Sequence, residues 1–199
     1  MEIINTRHSI FQIDILAQLS TRLFILIIAL GLSGCTGKTQ NYPDAGEIFP
    51  LSILNQVRNI DDRKIDFNNK TLLINFWATW CAPCRKEMPD LQKLSEALDQ
   101  SQFAVIGISV DDDTNLVKEF LLRHEIRFIN FQDEKLKIAS QLLDIQVFPE
   151  TFIVSPTGTI IKRITGEQAW DEKLFKNLLE NTYQVETKLS AKRPLDNST

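Results

Sequence analysis

The chain has 199 residues, 43% hydrophobic and 24% charged, the balance of a soluble globular domain with a full core and some extra segments. A net charge of −4 leaves no basic footprint, so nothing supports nucleic acid as a partner. No internal repeat or low-complexity tract is apparent.

From the N-terminus, Arg22 leads into the apolar run Leu23 to Leu32, followed by Ser33-Gly34-Cys35. The run has the length of a signal-peptide core and falls short of the roughly 20 residues that span a bilayer. Glu2 and Asp14 are unusual for a positively charged leader, and an uncleaved signal anchor is the competing reading. Leu32-Ser33-Gly34-Cys35 resembles the bacterial lipobox. That resemblance implies cleavage before Cys35 and a diacylglyceryl thioether on its sulfur, holding the protein on a membrane without spanning it. Residues 1–34 then form a lipoprotein signal peptide. Residues 35–47, polar and carrying Gly37, Pro43 and Gly46, form the lipidated cysteine and a flexible tether.

A domain is expected over residues 48–183, with a polar tail over 184–199. Ile48 to Leu54 and Val57 to Ile60 read as short strands, and Leu72 to Trp77 as a strong one. Met88, Leu91, Leu94 and Leu98 share one face of a helix expected from Ala82 to Leu98. Pro89 falls inside it and should kink it, because it lacks an N–H and crowds the Arg85 carbonyl. Phe103 to Val110 reads as a central strand, Leu116 to His124 as a helix, and Arg127 to Phe131 as a short strand. Leu136 to Leu143 is a helical patch. Thr151 to Val154 and Thr159 to Ile164 form a hairpin through Ser155-Pro156-Thr157-Gly158, and Trp170 to Leu179 closes the domain as a helix. The order suits an α/β fold with a mixed central sheet flanked by helices on both faces.

Trp80-Cys81-Ala82-Pro83-Cys84 directly follows the strong strand, so the cysteines sit at the first turn of the next helix. Unpaired N–H groups and the helix dipole there favour a thiolate, which makes Cys81 the expected nucleophile. Cys84, one turn in and more shielded, is the expected resolving thiol, and Pro83 suits the first helical turn. Other uses of the pair fit poorly. Zinc needs two further ligands, and the chain offers only His8 in the signal segment and His124 alone on a helix. Covalent haem attachment needs His where Arg85 stands. A structural disulfide closing so short a loop gains little.

Asn75-Phe76-Trp77-Ala78-Thr79-Trp80-Cys81-Ala82-Pro83-Cys84-Arg85-Lys86-Glu87 resembles the active-site segment of the thioredoxin superfamily, closest to its exported, membrane-tethered TlpA/ResA/CcmG-like branch. The resemblance implies a thioredoxin-like fold over most of the mature chain. It implies a cis-proline at Pro149, within Val147-Phe148-Pro149-Glu150-Thr151-Phe152, facing the cysteines. Phe148 could then pair with a substrate strand through its backbone. Thioredoxin has a buried Asp where Asn75 stands; in the exported branch a Glu matching Glu87 takes a related role in proton exchange. The competing reading of Glu87 is an exposed carboxylate paired with a nearby base. Trp80 is expected to offer partners apolar surface, Trp77 to lie in the core, and Glu150 to line the substrate groove.

Asp111-Asp112-Asp113 reads as a solvated loop with Asp113 capping the following helix rather than as a metal site. His124 reads as a surface residue. No phosphate loop or dinucleotide fingerprint occurs, so no cofactor beyond the dithiol and no metal is expected. Cys35 on lipid and Cys81 with Cys84 in redox chemistry account for all three cysteines.

The expected function is reduction of disulfides in exported proteins, at the periplasmic face of a bacterial envelope. The periplasm is kept oxidising. The family resemblance therefore implies a transmembrane thiol-disulfide transporter as electron donor, and apocytochrome c or a thiol chaperone of cytochrome c maturation as substrate. A disulfide oxidase of the same fold, or a non-enzymatic module that grips partners or copper through the cysteines, are the alternatives.

Overall fold

The computed structural model describes residues 43–63 and 66–180. The signal segment, Cys35, most of the expected tether and the tail lie outside them. The elements are β1 (Arg58–Asn59), β2 (Thr71–Trp77), α1 (Ala82–Ala97), β3 (Phe103–Ser109), α2 (Thr114–Arg123), β4 (Ile129–Gln132), β5 (Glu150–Val154), β6 (Ile160–Thr165) and α3 (172–180).

Six strands form one mixed sheet in the order β1-β4-β3-β2-β5-β6. The pairs β2–β3 and β3–β4 are parallel; β1–β4, β2–β5 and β5–β6 are antiparallel. Parallel neighbours need a crossover, and α1 and α2 supply the two required. β2 is buried at every residue after Thr71, so both its faces are covered. That explains its unbroken apolar run, where a half-exposed strand would alternate. Fully burying a side chain such as Phe76 contributes about 1.5–3 kcal/mol.

In α1 the buried positions are Cys84, Glu87, Met88, Leu91, Gln92 and Leu94, a single stripe at helical spacing. The helix continues through Pro89 as one 16-residue element. Trp77 is fully buried, and its indole N–H donates to Asn130 Oδ1 at 3.0 Å. Gly107 on β3 permits that approach, since a Cβ there would stand 2.0 Å from Asn130 Oδ1.

Three expectations need correction. Ile48 to Leu54 is not a strand: Ile48 makes a single bridge to Thr159, and Leu51–Asn55 is a 3-10 turn. Pro50 explains the change, because it has no N–H for a ladder. Leu136 to Leu143 is a series of turns rather than a helix. Lys135 and Leu136 take φ of 62° and 55°, and the buried Asp133 carboxylate captures the Ile138 and Ala139 N–H groups. The described end of the tether, residues 43–47, is hydrogen-bonded rather than loose. Gly46 N–H donates to Ile160 at 2.8 Å, Ile160 N–H to Glu47 at 2.7 Å, and Arg163 to the Pro43 carbonyl at 3.3 Å.

Candidate active site

The site lies where β2 ends and α1 begins. Cys81 is the N-cap of α1 with extended backbone angles, and its Sγ accepts the Cys84 N–H at 3.3 Å. The two sulfurs are bonded as a disulfide. Cys84 is wholly buried, while Cys81 is 6% exposed and so is the sulfur a partner reaches first. An N–H aimed at Cys81 Sγ would hold negative charge there once the disulfide opens.

Asp111 fixes the approach to Cys81. It is not solvated: only 4% exposed, it accepts from Thr79 N–H at 2.9 Å, Thr79 Oγ1 at 2.6 Å and Ser109 Oγ at 2.8 Å. From the other side Arg85 Nη1 donates to the Thr79 carbonyl at 2.8 Å. Thr79 is thereby held through its N–H, hydroxyl and carbonyl, two residues before Cys81. The sequence did carry one signal for this, a carboxylate at the C-terminal end of the strand beside β2. Asp113 caps α2 through the Asn115 N–H at 2.8 Å. His124 ends α2, exposed, with its ring 4.3 Å from that of Phe120.

The Phe148–Pro149 peptide is cis. The Phe148 and Trp80 rings make a T-shaped contact with centroids 6.0 Å apart, which joins the cis-proline loop to the cysteine loop. Trp80 is 61% exposed, and Leu142 and Val147 also expose apolar surface. Glu150 does not lie open on a groove. It is 2% exposed and accepts from Arg163 Nε at 2.5 Å, while Arg163 also stacks over the Phe152 ring.

Glu87, one turn after Cys84 on the same buried stripe, is 1% exposed. Oε1 accepts from Asn75 Nδ2 at 2.7 Å; Oε2 accepts from Gln168 N–H at 3.0 Å and from the Trp170 indole at 3.1 Å. Burial pushes its carboxyl above the ordinary value, and these three donors oppose the rise without cancelling it. The neighbouring Lys86 pairs with Glu167. Gln168 and Trp170 could not be linked to Glu87 from sequence, because they come from the loop after β6. Among the described residues no cluster of three His, Cys, Asp or Glu is placed to hold a metal, and no helix is long and apolar enough to cross a membrane.

A mixed sheet of this order, with a CxxC pair capping a helix and a cis-proline beside it, defines a thioredoxin-like dithiol protein. Residues 49–163 match the AhpC/TSA family, to which the chain belongs. A relative is the thiol-disulfide oxidoreductase ResA of Bacillus cereus, 30% identical over 161 residues, spanning 75% of this chain and 91% of that protein. A Chlorobium tepidum protein assigned as a thiol:disulfide interchange protein DsbE has the same fold. Its TM-score is 0.57 at 18% identity, over 71% of this chain and 97% of that one. A secreted thiol-disulfide isomerase from Corynebacterium glutamicum gives 0.55 at 22% identity, over 63% and 81%. Within its family the chain is a thiol-disulfide oxidoreductase of the ResA type, with Cys81 and Cys84 as its CxxC pair.

Proposed function

We propose that this protein is a membrane-tethered reductase of disulfides in exported proteins, facing the periplasm and held by lipid on Cys35. The observation that carries the reading is the asymmetry of the cysteine pair, Cys81 reachable at the helix cap and Cys84 sealed beneath it one turn from buried Glu87. Cys81 thiolate attacks one sulfur of a substrate disulfide and expels the other as a thiolate. Cys84 gives its proton to Glu87 and attacks Cys81 Sγ. The mixed disulfide breaks, the second substrate sulfur leaves as thiolate, and the Cys81–Cys84 bond forms. Two electrons thus pass from the dithiol to the substrate. A transmembrane thiol-disulfide transporter returns the pair to the dithiol by the same exchange.

Trp80, Phe148 and Pro149 receive the substrate, the tryptophan by apolar contact and the Phe148 backbone by strand-like pairing. Glu150 holds Arg163 behind the same loop. Pro149-Glu150-Thr151-Phe152 resembles the CcmG branch, which serves cytochrome c maturation, and this supports apocytochrome c, or a thiol chaperone of its maturation, as the substrate class.

Trapping tests the proposal. A Cys84→Ala variant should accumulate mixed disulfides through Cys81, and the captured proteins should be exported ones with cysteine pairs. Absence of any adduct would overturn the mechanism. A redox potential near that of a strong oxidant, about −120 mV, would reverse its direction.

A further inference from the structure

Glu87 is surrounded by donors: Asn75 Nδ2 at Oε1, and the Gln168 N–H and Trp170 indole N–H at Oε2. Such surroundings suit a carboxylate. A carboxylic acid there needs an acceptor for its own proton. A backbone N–H and an indole N–H cannot become acceptors. The Asn75 amide can, because half a turn of its end group exchanges Nδ2 for Oδ1.

Two observations on Asn75 fit that exchange. Its Oδ1 is, among the described residues, the one buried side-chain polar atom without a hydrogen-bond partner. Its second Nδ2 hydrogen goes to Thr151 Oγ1 at 2.9 Å, on the residue that pairs with Asn75 across β2 and β5. A hydroxyl donates or accepts by rotating its proton, so Thr151 accommodates either end of the amide. One end of the amide is unpartnered in both orientations. What Glu87 presents therefore decides between them.

We propose that Asn75 is a positioning residue that inverts with Glu87: Nδ2 faces the carboxylate, and Oδ1 faces the carboxylic acid and the Thr151 hydroxyl. The inference rests on the proton-exchange role given to Glu87 above. When Cys84 Sγ–H passes its proton to Glu87 Oε1, the amide turns and Oδ1 accepts that proton's hydrogen bond. It turns back when the proton leaves. The other charged groups near Glu87 are Glu167 and Lys86, which pair with each other. Neither hydrogen-bonds to Glu87 among the described contacts. Burial of Glu87, which favours its neutral form, brings the inversion into reach during turnover.

NMR of the 13C,15N-labelled protein tests this. The Glu87 Cδ shift reports its protonation, and NOEs from the Asn75 Nδ2 protons to the Thr151 side chain report the amide's orientation. Those NOEs should be present above the Glu87 midpoint and lost below it, both signals sharing one midpoint. Glu87→Gln, which turns an NH2 towards Asn75 as the protonated acid turns its O–H, should show the low-pH pattern at every pH. NOEs that persist across the Glu87 titration overturn the proposal, as does a Glu87→Gln variant with the high-pH pattern. Failure of the Glu87 role reads differently: the pH profile of disulfide exchange would be the same in wild type and Glu87→Gln, whatever the amide does.

Discussion

Thr79 and Asp111, 32 positions apart, share two hydrogen bonds at 2.9 and 2.6 Å, and this contact ties the C-terminal end of β3 to the loop that presents Cys81. Truncating Asp111 would leave the Thr79 N–H and hydroxyl without their acceptor in a largely buried site. Hydrogen bonds to charged groups contribute about 1.5–3 kcal/mol, so Asp111→Ala should lower unfolding stability by roughly that amount. Disulfide exchange should slow as well, and Asp111→Asn should be milder in both. Urea denaturation with an insulin-reduction assay checks this. Unchanged exchange kinetics in Asp111→Ala would remove the residue's positioning role.

Trp80 has the opposite character, 61% exposed with a T-shaped ring contact to Phe148. Trp80→Ala should cost about 1 kcal/mol of stability or less. Its effect should appear as a several-fold rise in KM for protein disulfides, with small-molecule disulfides reduced at nearly the wild-type rate. Equal losses on both substrates would place Trp80 in the chemistry rather than in partner capture.

Burial raises the Glu87 carboxyl above its ordinary value of 4.5. Because the folded value exceeds the unfolded one, its contribution to stability is fully present below the unfolded value. That contribution is lost as pH rises through the folded value. Glu87→Gln cannot titrate. Wild-type stability should therefore fall relative to the variant across that window, as read from urea midpoints at a series of pH values. Parallel curves would contradict the shift.

Gly107→Ala places a methyl 2.0 Å from Asn130 Oδ1 and 3.1 Å from the Trp77 indole nitrogen. Overpacking of this kind costs about 1–3 kcal/mol. A lower Tm with altered tryptophan fluorescence is expected, and an unchanged Tm would show that Asn130 moves aside freely.

Lipid on Cys35 is tested by metabolic labelling with palmitate. Wild type should incorporate label, and Cys35→Ser should not. Equal labelling of both would exclude the lipid anchor.

The elements legible in the sequence were those whose residues all obey one local period. β2 reads as an apolar run bounded by polar residues, and α1 as a stripe through Met88, Leu91 and Leu94. The cysteine pair was legible for the same reason, being contiguous with a strand end and a helix start. What stayed hidden depends either on one polar or proline residue overriding its neighbours' pattern or on residues far apart in the chain. The Asp133 carboxylate unwinds an apolar stretch that local pattern reads as helix, and Pro50 stops a strand that composition favours. Glu87 could be singled out by its place after Cys84, but not its three donors, which come from β2 and the loop after β6.

The strip at residues 46–48 bears on how molecules of this protein treat one another. It pairs with Thr159 and Ile160 and so occupies the start of β6, while the other margin of the sheet, β1, is two residues long. The rest of β6 carries the exposed charge of Lys162. Unguarded margins invite copies to stack strand on strand. A sheet so bordered should resist self-association even where copies are crowded together.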